Sequence, residues 1–164
     1  MRKEISAGII VYRMAENKPR FLLLYHGGKY WNFPKGHIEP LSPFEGQVAS
    51  QKENDIQTAF RETEEETGLK KKDIFIRRGF RASQRYCFKK GTEQICKTVV
   101  YFLGETKKTQ ISVSDEHEGY GWFAYNEALA ILTRHKNNQQ MIRRVRAFIR
   151  GPRHNQANIT SEKK

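Results

Sequence analysis

Apolar residues alternate between two kinds of run along this chain. Ser6 to Tyr12 and Arg20 to Tyr25 are rich in Ile, Val, Leu and Phe and read as strands, and the polar Ala15-Glu16-Asn17-Lys18-Pro19 between them predicts a hairpin loop. Gly27-Gly28-Lys29 ends the second strand, and the aromatic Tyr30 to Pro34 leads into a loop. Ile74 to Phe88 and Ile95 to Gly104 predict two longer strands around a turn at Gly91, and Tyr120 to Tyr125 a shorter one. Helical periodicity takes over from about Asn54 to Thr67, where Ile56, Ala59, Phe60 and Thr63 form a stripe to be buried and the carboxylates fall mainly outside it. Gly68 fits the left-handed position after that helix. Asn126 is the expected cap of a helix through Glu127 to Leu132. A last helix spans about Gln139 to Arg150, with Ile142, Val145, Phe148 and Ile149 inside and Gly151-Pro152 as its stop. Residues 40–52 mix Pro, Gly and Ser without a period and read as an inserted loop, about 41–52. Residues 151–164 read as a polar basic tail. Strands and helices in this order predict one α+β layered domain over residues 1–150.

Charge alters the picture in one place. The 164 residues hold 30 Lys and Arg against 18 Asp and Glu, a formal net charge of +12. Arg134, Lys136, Arg143, Arg144, Arg146 and Arg150 lie in the last helical region without an acidic neighbour between them. That surface suits nucleotides or RNA, and it equally suits a solvated helix face. Mean hydropathy is −0.78, and no apolar run approaches the roughly 18–20 residues of a membrane span. The short apolar stretch after Met1-Arg2-Lys3 reads as a strand and not as a signal peptide, so a cytoplasmic location without membrane partners is expected. Cys87 and Cys96 flank Lys90-Gly91-Thr92, so a hairpin would face them across the turn. Close approach there could permit a disulfide, but in a reducing compartment two free thiols are expected, with no catalytic role.

Candidate chemistry centres on Arg61-Glu62-Thr63-Glu64-Glu65-Glu66-Thr67-Gly68-Leu69, which holds four carboxylates within five positions of a basic chain. On a helix Glu62, Glu65 and Glu66 share a side, a spacing that costs an isolated helix about 0.2–0.5 kcal/mol per like-charged pair. A hard divalent cation would relieve the repulsion and bridge carboxylates to substrate phosphates.

With Phe33-Pro34-Lys35-Gly36-His37-Ile38-Glu39-Pro40 upstream and Glu53 eight positions before Arg61, the segment resembles the Nudix box. Glu53, Arg61, Glu62, Glu65, Glu66, Gly68 and Leu69 match it, and Thr63 takes an apolar place. If Gly36 is the box glycine, sixteen residues separate it from Glu53 where the pattern has five; Gly46 is one residue off register and lacks the Phe-Pro-Lys before it. Longer loops cost little in closure entropy. The resemblance implies an α/β/α sandwich with a mixed sheet, and hydrolysis of a phosphoanhydride by water attack at phosphorus. It implies Mg²⁺ or Mn²⁺ on Glu62, Glu65, Glu66 and the Gly36 carbonyl, and an Arg61–Glu53 pair that orients the carboxylates.

Trp31 to Pro40, Thr58 to Thr63, Gly79-Phe80, Lys97 to Phe102 and Asp115 to Trp122 are further similar to the asymmetrical diadenosine tetraphosphate hydrolases. That similarity implies Glu116 as a metal ligand or base, Tyr86 and Lys97 on adenine and phosphate, and Lys35 beside the phosphates. From the residues alone, Tyr86 is equally a packing residue of the hairpin, Lys97 an exposed strand charge and Glu116 a solvated carboxylate. His37 and His117 are expected to play ordinary polar loop roles. The expected activity is conversion of a bis(5′-nucleosyl)-tetraphosphate to ATP and AMP by a monomer. The alternatives are an RNA 5′-pyrophosphohydrolase that uses the basic helix, and a nucleotide- or RNA-binding protein without turnover.

Overall fold

The computed structural model describes residues 1–28, 30–39 and 54–151. Seven strands and three α-helices follow in the order β1 (Arg2–Ala15), β2 (Lys18–Tyr25), β3 (Trp31–Asn32), β4 (Lys35–His37), α1 (Asp55–Thr67), β5 (Phe75–Lys90), β6 (Glu93–Glu105), β7 (Gly119–Phe123), α2 (Tyr125–Ile131) and α3 (Lys136–Arg150). The strands form one mixed sheet. β1 runs parallel to β6, which pairs antiparallel with β5, while β2 takes β3 and β7.

Runs such as Ile9-Ile10-Val11 and Leu22-Leu23-Leu24 are apolar at every position because both sheet faces are covered. Ile10, Tyr12, Leu23, Tyr101 and Leu103 bury one face with Ala128 and Leu132 of α2 or just after it, and with Met141, Ile142 and Val145 of α3. Ile9, Val11, Leu22 and Leu24 bury the other with Ala59 of α1, Leu69, Ile74 and Ile111. The expected helix–sheet–helix layering is what these two cores build.

Residue chemistry sets the element ends. Glu16 and Asn17 both take positive φ, 51° and 59°, so the β1–β2 loop is a two-residue turn of the primed kind that matches strand twist. Asn54 caps α1: its side chain accepts the Gln57 N–H at 2.9 Å, and the Gln57 side chain accepts the Asn54 N–H at 3.1 Å. Gly68, at φ +72°, closes the helix by donating to the Glu64 carbonyl.

The structure corrects several sequence expectations. The segment Tyr30 to Pro34 is not a simple lead into a loop: Trp31–Asn32 pairs with β2, and Lys35–His37 just after it pairs with β1. Asn126 does not cap α2. Ala124 occupies that position, and the Glu127 carboxylate accepts its N–H at 2.7 Å. α3 begins at Lys136, one turn earlier than its apolar stripe predicts. Cys87 and Cys96 are not free thiols but a disulfide. The hairpin register opposes them directly, with Cα atoms 4.1 Å apart, so local strand pairing brings the two sulfurs together. Glu53, the 41–52 insertion and the tail beyond Gly151 lie outside the described residues. No helix among the described residues is long and apolar enough to cross a membrane.

Candidate active site

A fork in the sheet creates the site. The C-terminal part of β1, Tyr12 to Ala15, pairs with β2, whereas Ser6 to Gly8 on the same strand pairs with β4. β4 fills the space where β2 diverges and lies against α1. Gly36 in β4 touches the motif: a Cβ on it would fall 1.9 Å from the Glu62 carboxyl carbon. Only a residue without a side chain lets the backbone approach that carboxylate. Gly36, separated from Glu53 by sixteen residues, therefore sits beside the motif helix despite the insertion.

The motif carboxylates differ in environment. Of the four motif carboxylates Glu62, Glu64 and Glu65 lie outside the buried stripe of α1 as expected, and Glu66, 8 % exposed, is the exception that continues it. Its Oε2 accepts the Lys35 backbone N–H at 3.0 Å. Burial raises its pKa to about 7, the Lys35 N–H and ammonium pull it down, and Glu62 and Glu116 push it up. Burial also raises Glu62, against the pull of Arg61. Glu65 is exposed.

Arg61 ties the group together. Its Nη1 donates to Glu62 at 2.8 Å and to Glu65 at 3.3 Å, and its Nη2 donates to the His37 carbonyl at 3.0 Å. One planar guanidinium thus fixes two carboxylates and β4.

Lys35 and Lys97 face the carboxylates. Burial, then Lys97, lowers the Lys35 ammonium, while Glu66 and Glu62 raise it. Burial lowers Lys97, and Glu4, Glu62 and Glu66 raise it. Lys97 stands directly opposite Tyr86 in the β5–β6 register, so the two residues expected on substrate are neighbours on one sheet face. Tyr86 lines a cleft of about 760 Å³ with Tyr30, Gln84, His135, Lys136 and Asn138. A nucleoside fits such a volume.

Sequence reasoning missed His117 as a site residue. Its side chain is fully buried, with Nε2 3.8 Å from Glu66 Oε1, Nδ1 3.0 Å from Ser114 Oγ and the His26 ring 4.3 Å away centre to centre. Backbone bonds place it: Ser112 N–H reaches the Thr67 carbonyl at 3.0 Å, and Glu118 N–H reaches the Tyr25 carbonyl at 2.8 Å. The same segment carries Glu116, which is exposed yet near enough to raise Glu66. Proximity to Glu116 in sequence was the one signal that pointed to His117.

Oxygen donors suit a hard divalent ion, and two observations fit one here: two neighbouring carboxylates, Glu62 and Glu66, whose pKa values burial raises, and a glycine backbone open beside them. In the described arrangement Arg61 and the Lys35 N–H occupy those carboxylates, and no three His, Cys, Asp or Glu side chains among the described residues converge on one point.

Comparison with known proteins agrees with this geometry. The model of the NUDIX domain matches residues 2–145. The mouse (Mus musculus) bis(5′-nucleosyl)-tetraphosphatase [asymmetrical] is 36% identical over 133 residues, covering 75% of this chain and 80% of that protein. The Caenorhabditis elegans protein of the same name is 28% identical over 149 residues, covering 89% and 96%. A crystal structure of a C. elegans Ap4A hydrolase binary complex superposes with a TM-score of 0.74 at 27% identity, covering 91% of this chain and 99% of that one. With a domain model matched along nearly its whole length and a motif helix packed against a glycine strand, this chain belongs to the Nudix hydrolase family.

Proposed function

We propose that this enzyme hydrolyses bis(5′-nucleosyl)-tetraphosphates asymmetrically, releasing a nucleoside triphosphate and a monophosphate by water attack at phosphorus. The Glu62–Glu66 pair, buried at Glu66 and half-buried at Glu62 and clamped between Arg61 and the Lys35 backbone, carries this reading. Resemblance to relatives named for that reaction supports it.

The residues take these roles. Glu62, Glu65, Glu66, Glu116 and the Gly36 carbonyl would hold Mg²⁺ or Mn²⁺. Such ions, when bound, neutralise phosphate charge and acidify the attacking water. Arg61 holds Glu62 and Glu65 in place, and Glu53 is assigned to the same task by the motif resemblance alone. Lys35 and Lys97 attract the phosphate chain, and burial lowers both ammonium groups, which an arriving anion would offset. Tyr86 offers a ring face to a base, an interaction worth about 1–3 kcal/mol. Glu116, exposed beside buried Glu66, can take the proton of the attacking water. The domain of residues 1–150 acts as a monomer.

The test is product analysis on diadenosine tetraphosphate, triphosphorylated RNA, nucleoside triphosphates and ADP-ribose in heavy-oxygen water, with Glu66→Gln beside the wild type. ATP and AMP are expected, with turnover of the variant down at least about tenfold. Unchanged turnover removes Glu66 from the mechanism.

The exposed basic face of α3 favours a second reading, an RNA 5′-pyrophosphohydrolase. RNA affinity would then fall steeply with salt. Absence of product from every nucleotide would favour a binding protein without turnover.

A further inference from the structure

The connection between β6 and β7 is tied to two neighbours at once. Its Ser112 N–H donates to the Thr67 carbonyl at 3.0 Å and its Ser114 N–H to the Glu66 carbonyl at 3.4 Å, both in the last turn of α1. On the other side the Glu118 N–H donates to the Tyr25 carbonyl of β2 at 2.8 Å. His117 lies between these anchors, and its own N–H donates to the Ser114 carbonyl at 3.0 Å. None of its side chain meets solvent, and the His26 ring packs on it at 60° with centres 4.3 Å apart. The imidazole therefore has little room to turn.

Its two nitrogens meet different groups. Nδ1 is 3.0 Å from Ser114 Oγ. Nε2 is shielded from solvent and has no hydrogen-bond partner among the described residues, and Glu66 Oε1 stands 3.8 Å from it. The other Glu66 oxygen, Oε2, accepts the Lys35 N–H at 3.0 Å. A neutral imidazole carries one ring hydrogen. On Nδ1 it would set the Nε2 lone pair against a carboxylate oxygen. On Nε2 it points toward that oxygen, while the rotatable Ser114 hydroxyl donates to Nδ1. Only the second arrangement matches a donor to an acceptor at both nitrogens.

We propose that His117 is a positioning residue: its Nε2–H donates to Glu66 Oε1 and, with the Lys35 N–H on Oε2, sets this carboxylate in the orientation that holds a divalent cation. The inference rests on the metal-dependent reading above. Hydrogen bonds around reacting groups are often long in a resting site and tighten on binding. About 1 Å of carboxylate motion closes this one.

Mn²⁺ affinity, read from the paramagnetic resonance of the free ion, tests this without turnover. His117→Phe keeps a buried ring and removes the donor, whereas His117→Gln places an amide N–H near the Nε2 position. His117→Phe should bind Mn²⁺ about tenfold more weakly and His117→Gln within about threefold of the wild type. In a Glu66→Gln background His117→Phe should add no further loss, because the two residues act through one hydrogen bond. Nitrogen-15 spectra of the histidine-labelled wild type with Mg²⁺ should show His117 as the Nε2–H tautomer, a result that needs no variant to fold. Unchanged affinity in His117→Phe, equal losses in His117→Phe and His117→Gln, a loss undiminished in the Glu66→Gln background, or the Nδ1–H tautomer would overturn the proposal and leave the proposed reaction standing. A wild type that binds neither ion would overturn both.

Discussion

A carboxylate removed from water holds its proton more tightly, and Glu66 does so to about 7. The consequence for stability has a definite sign. Between the unperturbed value of 4.5 and about 7, the folded chain keeps a proton that the unfolded chain has released. Buried His26, lowered to about 4, contributes the opposite slope up to 6.5, whereas the Glu66 contribution to the stability of the metal-free protein is full below 4.5, falls as pH rises through this window and levels off above it. Glu66→Gln should flatten that slope in thermal melts and stabilise the metal-free protein at about pH 8 by up to about 3 kcal/mol, while turnover collapses. A pH profile of stability unchanged between wild type and variant would refute this account. Gly36 makes the opposite trade. Alanine there displaces the Glu62 carboxylate, which is the mobile end of a side chain, so the fold should survive. Gly36→Ala should leave the melting temperature nearly unchanged and lower kcat at least about tenfold. Of these residue properties, the Glu62, Glu65 and Glu66 spacing was readable from the chain. The burial of Glu66 was not, because its partner is the Lys35 amide, far away in sequence.

At the scale of elements, α1 is specified locally. Asn54, Gln57 and Gly68 set its ends by short-range hydrogen bonds, of which the Gly68 end was placed from the sequence. Asn54→Ala should cost about 1 kcal/mol in urea denaturation. The β5–β6 hairpin is local too, and its register accounts for the disulfide that compartment arguments did not anticipate. The bond spans only nine positions. Reduction of the wild type, or Cys96→Ser, should lower stability by about 2 kcal/mol. Thiol titration of the unreduced, denatured protein should find no free cysteine. α2 escaped local reading because its cap is Glu127 reaching back to Ala124, a position with no capping side chain of its own.

At the scale of the molecule, the basic excess divides into charges with structural partners and charges without. Arg61 serves the site, and Arg146 lies 3.8 Å over the Tyr125 ring, where it joins α3 to α2. Arg143, Arg144 and Arg150 are exposed on α3. Replacing these three by Gln should leave tetraphosphate turnover within about twofold, since the phosphates need only Lys35 and Lys97 nearby. If RNA is the substrate, the same variant should lose affinity and reduce the salt slope by up to about three counterions. Turnover and RNA binding measured against salt on one preparation separate the two readings.

The sequence by itself determined the long strands, the three helices, the glycine that ends α1 and the spacing of the acidic motif, because each follows from neighbours within one helical turn or one strand alternation. Tertiary structure alone decided which carboxylate is buried, that His117 stands behind Glu66, and that three amides from β3, α3 and β5 meet under the cleft. Asn138 and Asn32 are 106 positions apart, and no local pattern encodes a contact made only when two layers close on a sheet.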